Sequence, residues 1–349
     1  MILAIGDLHF KESLGYSDLF EDKRENERQE ILDFIVESAK DCDKVVFLGD
    51  QLNARNNTSE VIRAFVEFVE RFDDKQVYII AGNHEKKGNG RSAIDFLAEL
   101  KKPNLHVIIN EIVQIDGMVF CPYFTKAELN AKDNDEGLAK ITAWIDSVRT
   151  NIINIHSPSA DIFFCHFAIS DTLVQSGLST NIFDEIVLPK VELEKIFKLV
   201  VGGHIHKPKS YGRTIISGSV FNNEVGEEYK AIWKIKPEDK SYQEVPLPGR
   251  KIKKFENPSI LDIGLVDVSG TIAKVIITDK SINVPLLRKA MVGYDAVVIS
   301  EQYPSERTKT KNQKTLVDFS IENLLSIYAK EKKIDNKILM EGFNLIKGV

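Results

Sequence analysis

Five short polar motifs, each following an apolar strand-like run, limit most strongly what this chain can fold into. Glycines and small residues in these motifs suit a backbone that turns sharply off a strand and approaches an ion or a phosphate closely. Of the seven histidines in the chain, five fall in these motifs. In chain order the motifs are Asp7-x-His9, Gly49-Asp50, Gly82-Asn83-His84-Glu85, His166 and Gly203-His204-x-His206.

The strand-like runs alternate with stretches of helical period. Helix-spaced apolar residues occur around Ile31–Ala39, Val61–Val69 and Leu138–Val148. Alternating strands and helices predict an α/β fold, with two sheets flanked by helices in a four-layer α-β-β-α sandwich. In such folds the loops at the carboxyl ends of strands gather the functional groups. The predicted strands are Ile2–Ile5, Lys44–Leu48, Val77–Ile80, Asp161–Cys165 and Leu199–Val201.

The motif residues supply carboxylate, amide and imidazole groups but no thiolate. Such ligands suit borderline-hard divalent metals, manganese first, with iron, zinc or magnesium as alternatives. Two neighbouring ions need a bridging oxygen from the protein, for which Asp50 is the natural candidate, and such a pair promotes phosphoester hydrolysis. We therefore expect two divalent ions. The predicted metal ligands are Asp7, His9, Asp50, Asn83, His166, His204 and His206.

The remaining histidines divide into one catalytic candidate and two ordinary residues. His84 follows the ligand Asn83 and is left to contact the phosphate or protonate the leaving oxygen, so we predict that it is catalytic. Glu85 can orient His84, but an exposed surface glutamate is the simpler interpretation. His106 and His156 lie outside the motifs, and we expect structural roles for both.

Taken together, the motifs resemble those of the calcineurin-like metallophosphoesterase superfamily. Within it the chain is similar to SbcD-type nucleases, the nuclease subunit of the bacterial, phage and eukaryotic complex that processes DNA double-strand breaks. The similarity covers residues 1–250 and extends to the later parts of the chain in layout. It also includes Lys207-Pro208, Ile216-Ser217-Gly218-Ser219 and Val245-Pro246-Leu247-Pro248.

This resemblance implies how the ligands divide between two manganese ions. One ion would be held by Asp7, His9, Asp50 and His206, and the other by Asp50, Asn83, His166 and His204. His84 would act on the phosphate and the leaving group. Many relatives carry Asp or His three residues after the bridging aspartate, where this chain has Asn53. A phosphate or DNA contact from that position is therefore not implied.

The resemblance also implies a domain organisation. It comprises a metallophosphoesterase nuclease domain (1–250), a DNA-capping domain (251–300), a linker (301–314) and a helical partner-binding segment (315–349). In the capping domain, strands at Ile272–Thr278 and Ala296–Ser300 are predicted around a helix at Val284–Met291. The helical segment would dock on an SbcC-type ABC ATPase, although packing back on the capping domain is the alternative. A homodimer is implied as well.

Charge gives only weak guidance about the partner. The net charge is −6, with 17 basic and 13 acidic residues from Ser241 onward and 29 and 39 before it. Basic clusters at Arg250–Lys254 and between Arg307 and Lys314 are more typical of a solvated face or a linker than of a phosphate-binding patch. An acidic body does not exclude DNA, because two divalent ions would make the cleft locally positive.

Targeting signals are not evident in the sequence. Met1–Ile5 is too short for the apolar part of a secretory signal, and no apolar run is long enough to span a bilayer. Cys42, Cys121 and Cys165 show no disulfide or zinc spacing. We therefore expect a cytoplasmic protein of a bacterial cell or a phage-infected host, without a membrane partner.

Three functional hypotheses remain. The first is a manganese-dependent DNA exonuclease or endonuclease that processes DNA ends with an ABC-type ATPase partner. The second is a phosphodiesterase or phosphatase that acts on small phosphoesters at the same binuclear site, without DNA specificity. The third is a non-enzymatic scaffold with a degenerate site, which the complete set of expected ligands disfavours.

Overall fold

The computed structural model describes residues 1–15, 24–88, 90–153, 161–172, 185–222, 229–258, 270–279, 281–293 and 297–302. The predicted helical segment 315–349, nearly all of the predicted linker, and His156 lie outside these residues. No helix within these ranges is both long enough and apolar enough to cross a membrane.

Nineteen strands and six helices are described. The strands are β1 (Ile2–Ile5), β2 (Lys44–Phe47), β3 (Gln76–Ile80), β4 (Lys86–Gly88), β5 (Arg91–Ser92), β6 (Leu105–Ile108), β7 (Val113–Ile115), β8 (Met118–Cys121), β9 (Ile162–Cys165), β10 (Ala168–Ile169), β11 (Val187–Leu188), β12 (Leu199–Gly202), β13 (Lys209–Tyr211), β14 (Thr214–Ile216), β15 (Ala231–Ile235), β16 (Tyr242–Pro246), β17 (Lys251–Glu256), β18 (Thr271–Ile276) and β19 (Val297–Gln302). The helices are α1 (Glu25–Ser38), α2 (Ser59–Glu70), α3 (Asp95–Glu99), α4 (Asn134–Ile153), α5 (Lys190–Ile196) and α6 (Val284–Gly293).

Two six-stranded sheets form the body. The first has the order β16-β15-β1-β2-β3-β6, in which β1, β2, β3 and β6 run parallel and β15 is antiparallel to both of its neighbours, β1 and β16. The second has the order β13-β14-β12-β9-β8-β7, with a parallel centre and antiparallel edge strands. Because the central strands of each sheet are parallel, their carboxyl ends meet at one edge.

Three apolar clusters separate four layers. The cluster between the sheets takes Val46 and Tyr78 from the first sheet and Phe120 and Phe164 from the second. α1 and α2 cover the outer face of the first sheet. α4 and α5 cover the outer face of the second sheet. The predicted four-layer α-β-β-α sandwich is therefore confirmed.

Helix α2 shows how the sequence builds one of these layers. Val61, Phe65, Phe68 and Val69 are all buried, and their spacing places them on one face of a helix. Phe65, Phe68 and Phe72 pack edge-on around Phe47 of β2. Each fully buried aromatic ring contributes about 2–3 kcal/mol of burial free energy, so this face fixes α2 against the sheet that carries the site.

A separate parallel sheet, β17-β18-β19, lies in the C-terminal part. The predicted strand–helix–strand over this region corresponds to β18, α6 and β19. The basic stretch Arg250–Lys254 is not a linker, because most of it forms β17. Its Lys251 and Lys254 are exposed while Ile252 is buried, so a strand with a solvated face explains the pattern.

Candidate metal centre

The predicted ligands follow strands that are neighbours in the two sheets. Asp7 and His9 follow β1, Asp50 follows β2 and Asn83 follows β3. The other three follow adjacent strands of the second sheet, His166 after β9, and His204 and His206 after β12. Both sheets thus deliver their polar residues to the same end of the sandwich.

The structure brings all seven predicted ligands together. Three groups have ligand atoms within 4.8 Å of one another. They are Asp7–His9–His206, His9–Asp50–His84 and Asp50–His166–His204. Asn83 joins the third group, because its Oδ1 lies 3.0 Å from His166 Nε2 and 3.0 Å from His204 Nδ1. Asp50 is shared between groups, as a bridging ligand must be, and the assignment of each residue to an ion stays a prediction.

Three of the metal-ligand candidates have a strained backbone. The backbone φ angles are 48° at His9, 51° at Asp50 and 77° at His204. These values lie in the left-handed region, which residues other than glycine rarely adopt. The His9 amide donates to the Asp50 carbonyl at 2.9 Å, and the His204 amide donates to Asp7 Oδ1 at 3.2 Å. Such strained residues persist where the surrounding contacts fix them, and they are typical of functional sites.

The glycines beside the ligands are required by close packing. A Cβ at Gly49 would overlap the His166 ring, and a Cβ at Gly82 would overlap the Asp50 carboxylate. Any larger residue at either position would displace a predicted ligand.

Hydrogen bonds to the outer nitrogens define which histidine nitrogens face the cluster. His166 Nδ1 lies 2.7 Å from the Leu48 carbonyl, and His204 Nε2 lies 2.8 Å from Glu185 Oε2. A carbonyl or an ionised carboxylate can only accept, so these nitrogens donate. In the neutral rings the inner nitrogens then point lone pairs at the lone pairs of Asn83 Oδ1. This acceptor-to-acceptor arrangement fits a cation bound between them.

The electrostatics of the carboxylates point the same way. Burial, followed by the charge of Asp50, raises the pKa of Asp7 well above its usual value. For Asp50, burial opposes ionisation, but His166 and His9 outweigh it and the pKa is lowered. Burial lowers the pKa of His9 to about 3, so its ring is neutral and can bind metal. The His204 amide and the charge of Lys230 only partly offset the rise in the pKa of Asp7, and a nearby cation would stabilise its ionised form further.

A buried oxygen of Asp7 also fits a metal centre. Within the described part of the chain, Asp7 Oδ2 has no hydrogen-bond partner. His9 Nε2 lies 3.0 Å from His206 Nε2, a second pair of nitrogens that face one another. A buried carboxylate oxygen without a donor is costly unless it binds a cation. The residues therefore fit a binuclear divalent site.

His84 occupies a different position from the ligands. Its Nδ1 donates to the Asn53 carbonyl at 2.8 Å, which leaves Nε2 directed to the cluster, 3.9 Å from Asp50 Oδ2. The side chain is 43% exposed, so a substrate can reach it. The contact with Asn53 uses the backbone, and the identity of that side chain is therefore not what orients His84.

The interpretation of Glu85 as a surface residue is wrong. Its side chain is fully buried. Its carboxylate accepts hydrogen bonds from the amides of Gln51, Leu52 at 3.0 Å and Gly82 at 2.6 Å. Burial, followed by the charge of Asp50, raises the pKa of Glu85 to about 8. Glu85 therefore holds together the two loops that carry Asp50 and Asn83, and it does not contact His84 through these bonds.

Three further residues at the site were missed. Glu185 binds His204, and the hydrogen bond from that ring lowers the pKa of the carboxylate. The Tyr123 ring lies 6.1 Å from the His204 ring and 6.3 Å from the His166 ring. Neither residue belongs to a motif, so no sequence signal marked them.

Lys230 is the third missed residue, and it supports the last loop. Its ammonium donates to Ser219 Oγ and to the His206 carbonyl at 3.3 Å. The run Ile216–Ser219 was noted in the sequence, and a backbone bridge between Asp7 and Ser219 explains its place beside the ligands. The sequence run therefore marks Ser219 as a residue near the site, whereas Lys230 lies outside any motif.

His106 has the structural role that was predicted for it. Its ring stacks on Tyr78 at 4.8 Å and its Nε2 pairs with Gln76 at 3.2 Å. Its neighbours are therefore those of an ordinary packed side chain.

Comparisons with known proteins identify the family. A sequence profile described as calcineurin-like phosphoesterase matches residues 1–208. No curated protein sequence matches the chain. Similar solved structures include a novel archaeal phosphodiesterase, 13% identical over 70% of this chain and 99% of that one, with a TM-score of 0.33. A protein of Thermus thermophilus is 14% identical over 70% and 97% of the two chains, with a TM-score of 0.40. The phosphopantetheinyl hydrolase from Mycobacterium tuberculosis is 17% identical over 63% and 89%, with a TM-score of 0.35.

Proposed function

The chain belongs to the calcineurin-like phosphoesterase family, and from that premise we propose that it is a manganese-dependent DNA nuclease of the SbcD type. In this proposal it hydrolyses phosphodiester bonds at DNA ends, as an exonuclease and endonuclease, together with an ABC-type ATPase. The observation that carries the hydrolytic part is the Asp50-centred cluster with His84 Nε2 facing it from a partly exposed ring.

The residues divide the work as follows. Asp7, His9, Asp50, Asn83, His166, His204 and His206 would hold two divalent ions. When bound, such ions supply Lewis-acid activation of the phosphoryl group and of a water molecule. The backbone carbonyl of Asn53 accepts a hydrogen bond from His84 Nδ1 and so orients the ring. A proton on His84 Nε2 would then be directed at the leaving oxygen.

DNA as the substrate is supported by sequence features outside the metal motifs. The run Ile216–Ser219 resembles SbcD-type nucleases, and in this structure Ser219 contacts the metal loops. The C-terminal sheet begins with β17, whose Lys251 and Lys254 are exposed and available to phosphates. The proposed DNA-capping domain, residues 251–300, includes this sheet except for the last two residues of β19.

The rival function is hydrolysis of a small phosphoester. The acidic balance of the first 240 residues, 29 basic against 39 acidic, favours it, because nucleic-acid binding faces are usually basic. The rival needs neither the capping domain nor an ATPase. It is therefore separated from the nuclease by substrate and not by metal dependence.

The deciding experiment measures manganese-dependent release of nucleotides from end-labelled linear DNA by the full chain. A small phosphodiester is assayed in parallel, and Asp50→Ala serves as the inactive variant. The proposal expects DNA degradation that disappears in Asp50→Ala. Hydrolysis of the small ester with DNA left intact, even with the ATPase present, would overturn the nuclease and support the rival.

Partner binding is a separate part of the proposal. We assign docking of an SbcC-type ATPase to residues 315–349, on the basis of two amphipathic stretches in the sequence. Truncation after Thr310 should abolish co-purification with the ATPase while leaving manganese binding unchanged. Partner binding that survives the truncation would contradict the assignment. The proposed homodimer is checked by light scattering on the same samples.

A further inference from the structure

We propose that Glu185 is a positioning residue, which fixes the His204 ring so that Nδ1 faces the metal cluster. Glu185 Oε2 lies 2.8 Å from His204 Nε2. Glu185 lies just before β11 and belongs to none of the metal-binding groups. The inference rests on the metal site of the proposed function but not on DNA as the substrate.

The chemistry of the pair determines the tautomer. A glutamate carboxylate is ionised at neutral pH, so Glu185 Oε2, which lies 2.8 Å from His204 Nε2, can only accept a hydrogen bond. His204 Nε2 must therefore carry a proton. In the neutral ring, Nδ1 then presents its lone pair to the cluster, where Asn83 Oδ1 lies at 3.0 Å.

His204 needs this outer support more than an ordinary histidine. Its backbone has a φ of 77°, and its amide is held by Asp7 Oδ1 at 3.2 Å. The amide contact fixes where the side chain starts but not how the ring is turned. Of the hydrogen bonds described for the ring, the one to Glu185 is the one that binds the nitrogen facing away from the cluster.

His166 provides an internal comparison. Its outer nitrogen is Nδ1, which donates to the Leu48 carbonyl at 2.7 Å, so its Nε2 faces Asn83. The two histidines are thus held as opposite tautomers, one by a backbone carbonyl and one by a carboxylate. Only the second support can be removed by substitution, which makes Glu185 the testable one.

A surface ion pair is the competing explanation, because the Glu185 side chain is 31% exposed. An exposed pair contributes little to stability and nothing specific to metal binding. An outer partner of a metal-binding histidine, by contrast, fixes the tautomer, and its loss weakens metal affinity about 10- to 100-fold. Metal affinity and ring tautomer therefore separate the two explanations, whereas thermal stability does not.

The test compares the full-length protein with Glu185→Ala, Glu185→Gln and Glu192→Ala. Glu192 is a matched control, because it is 57% exposed and pairs with Lys195 on α5 at 2.7 Å, away from the histidines. Manganese binding is measured by calorimetry. Nitrogen-15 NMR of labelled histidines, with His204 assigned from a His204→Gln variant, reports the tautomer without metal.

We expect Glu185→Ala to weaken one of two manganese sites by about 10- to 100-fold and to give a mixture of His204 tautomers. Glu185→Gln keeps an acceptor oxygen, so its manganese affinity and tautomer should stay closer to those of the wild type. Glu192→Ala should have the same manganese affinity and tautomer as the wild type. Wild-type affinity and tautomer in Glu185→Ala would overturn the inference. Equal losses in Glu185→Ala and Glu185→Gln would also overturn it, since charge alone would then matter. Two-site manganese binding without DNA cleavage would defeat the nuclease proposal but leave this inference standing.

Discussion

The strand ends that carry the metal cluster and the C-terminal sheet β17-β18-β19 are held in contrasting ways. At the cluster, backbone strain at His9, Asp50 and His204 is fixed by polar contacts between loops of both six-stranded sheets. The C-terminal sheet is parallel, with one register shift between Ala273 and Lys274 of β18 where that strand pairs with β19, and its core with α6 is apolar. That core consists of Ala273, Val275, Ile277, Leu287 and Met291.

This difference separates the region that binds metal from the region that does not. No metal-binding group is found in the described residues between 251 and 302. Substitutions at the strand ends should therefore change metal binding and hydrolysis of every substrate. Substitutions in the C-terminal sheet should change the stability of that sheet or the cleavage of DNA, and not metal binding. The variants below test this separation.

The largest effect is expected for Asp50→Ala. Asp50 Oδ2 lies 3.8 Å from His9 Nε2 and 3.4 Å from His166 Nε2, between the two groups of ligands. Each ion is worth several kcal/mol of transition-state stabilisation, so losing both should lower kcat/KM by at least about 10⁴-fold. Steady-state assays on a small phosphodiester measure this. Asp43→Ala, at an exposed position before β2, is the control, and a modest loss in Asp50→Ala would contradict a shared ligand.

His84→Gln should lower kcat by about 10²- to 10⁴-fold, because it removes a proton donor and leaves the ligands. Manganese stoichiometry should stay at the wild-type value, as measured by metal analysis after gel filtration. His84 also forms a geometric group with His9 and Asp50. Loss of bound manganese in the variant would therefore mean that His84 is a ligand and not a proton donor.

Glu85→Ala should destabilise the body strongly. It strips the buried amides of Gln51, Leu52 and Gly82 of their acceptor. Each buried amide left without an acceptor costs about 1–3 kcal/mol. We therefore expect the free energy of unfolding, measured with urea, to fall by at least about 3 kcal/mol. Glu85→Gln, which keeps one acceptor oxygen, should lose less. An unchanged unfolding midpoint for the alanine variant would remove Glu85 from its role in joining the loops.

Met291→Ala probes the other side of the comparison. Met291 of α6 is fully buried in the C-terminal core. Its truncation should lower the free energy of unfolding of the C-terminal sheet and α6 by about 2 kcal/mol. Manganese affinity and small-ester hydrolysis should not change, whereas cleavage of DNA ends should fall. Leu286→Ala, at a half-exposed position on the same helix, is the control. Weakened manganese binding in Met291→Ala would break the separation between the two regions.

The smallest effect is expected for Asn53→Ala. His84 is held by the Asn53 carbonyl, which alanine retains. Activity should change by less than about twofold, the range of a substitution without a structural role. Assays on DNA and on the small ester both apply. A large loss on DNA alone would show that the Asn53 side chain contacts the nucleic acid.

Much of the site could be predicted because its constraints are local in sequence. A glycine or aspartate directly after a buried strand marks a loop at the carboxyl end of that strand, and parallel pairing brings such loops together. Glu85 could not be placed, because the amides of Gln51 and Leu52 that it binds are 34 and 33 residues away. Glu185 meets His204 across 19 residues, again without a motif.

The C-terminal sheet was predicted less completely for a related reason. In β17 the buried Ile252 stands among lysines, so the apolar signal of a strand was weak. Its strand partner β18 is distant in the sequence, and the pairing gives Ile252 an apolar neighbour in Ile272. Pairing between distant segments therefore decided what local composition left open.

The number of manganese ions bound per chain tests the central claim most directly. Metal-free protein would be titrated with manganese by calorimetry, and the bound metal counted independently by elemental analysis. A binuclear centre built on Asp50 predicts two ions per chain in the wild type and loss of both high-affinity sites in Asp50→Ala. One ion per chain, or two ions that Asp50→Ala still binds tightly, would contradict it.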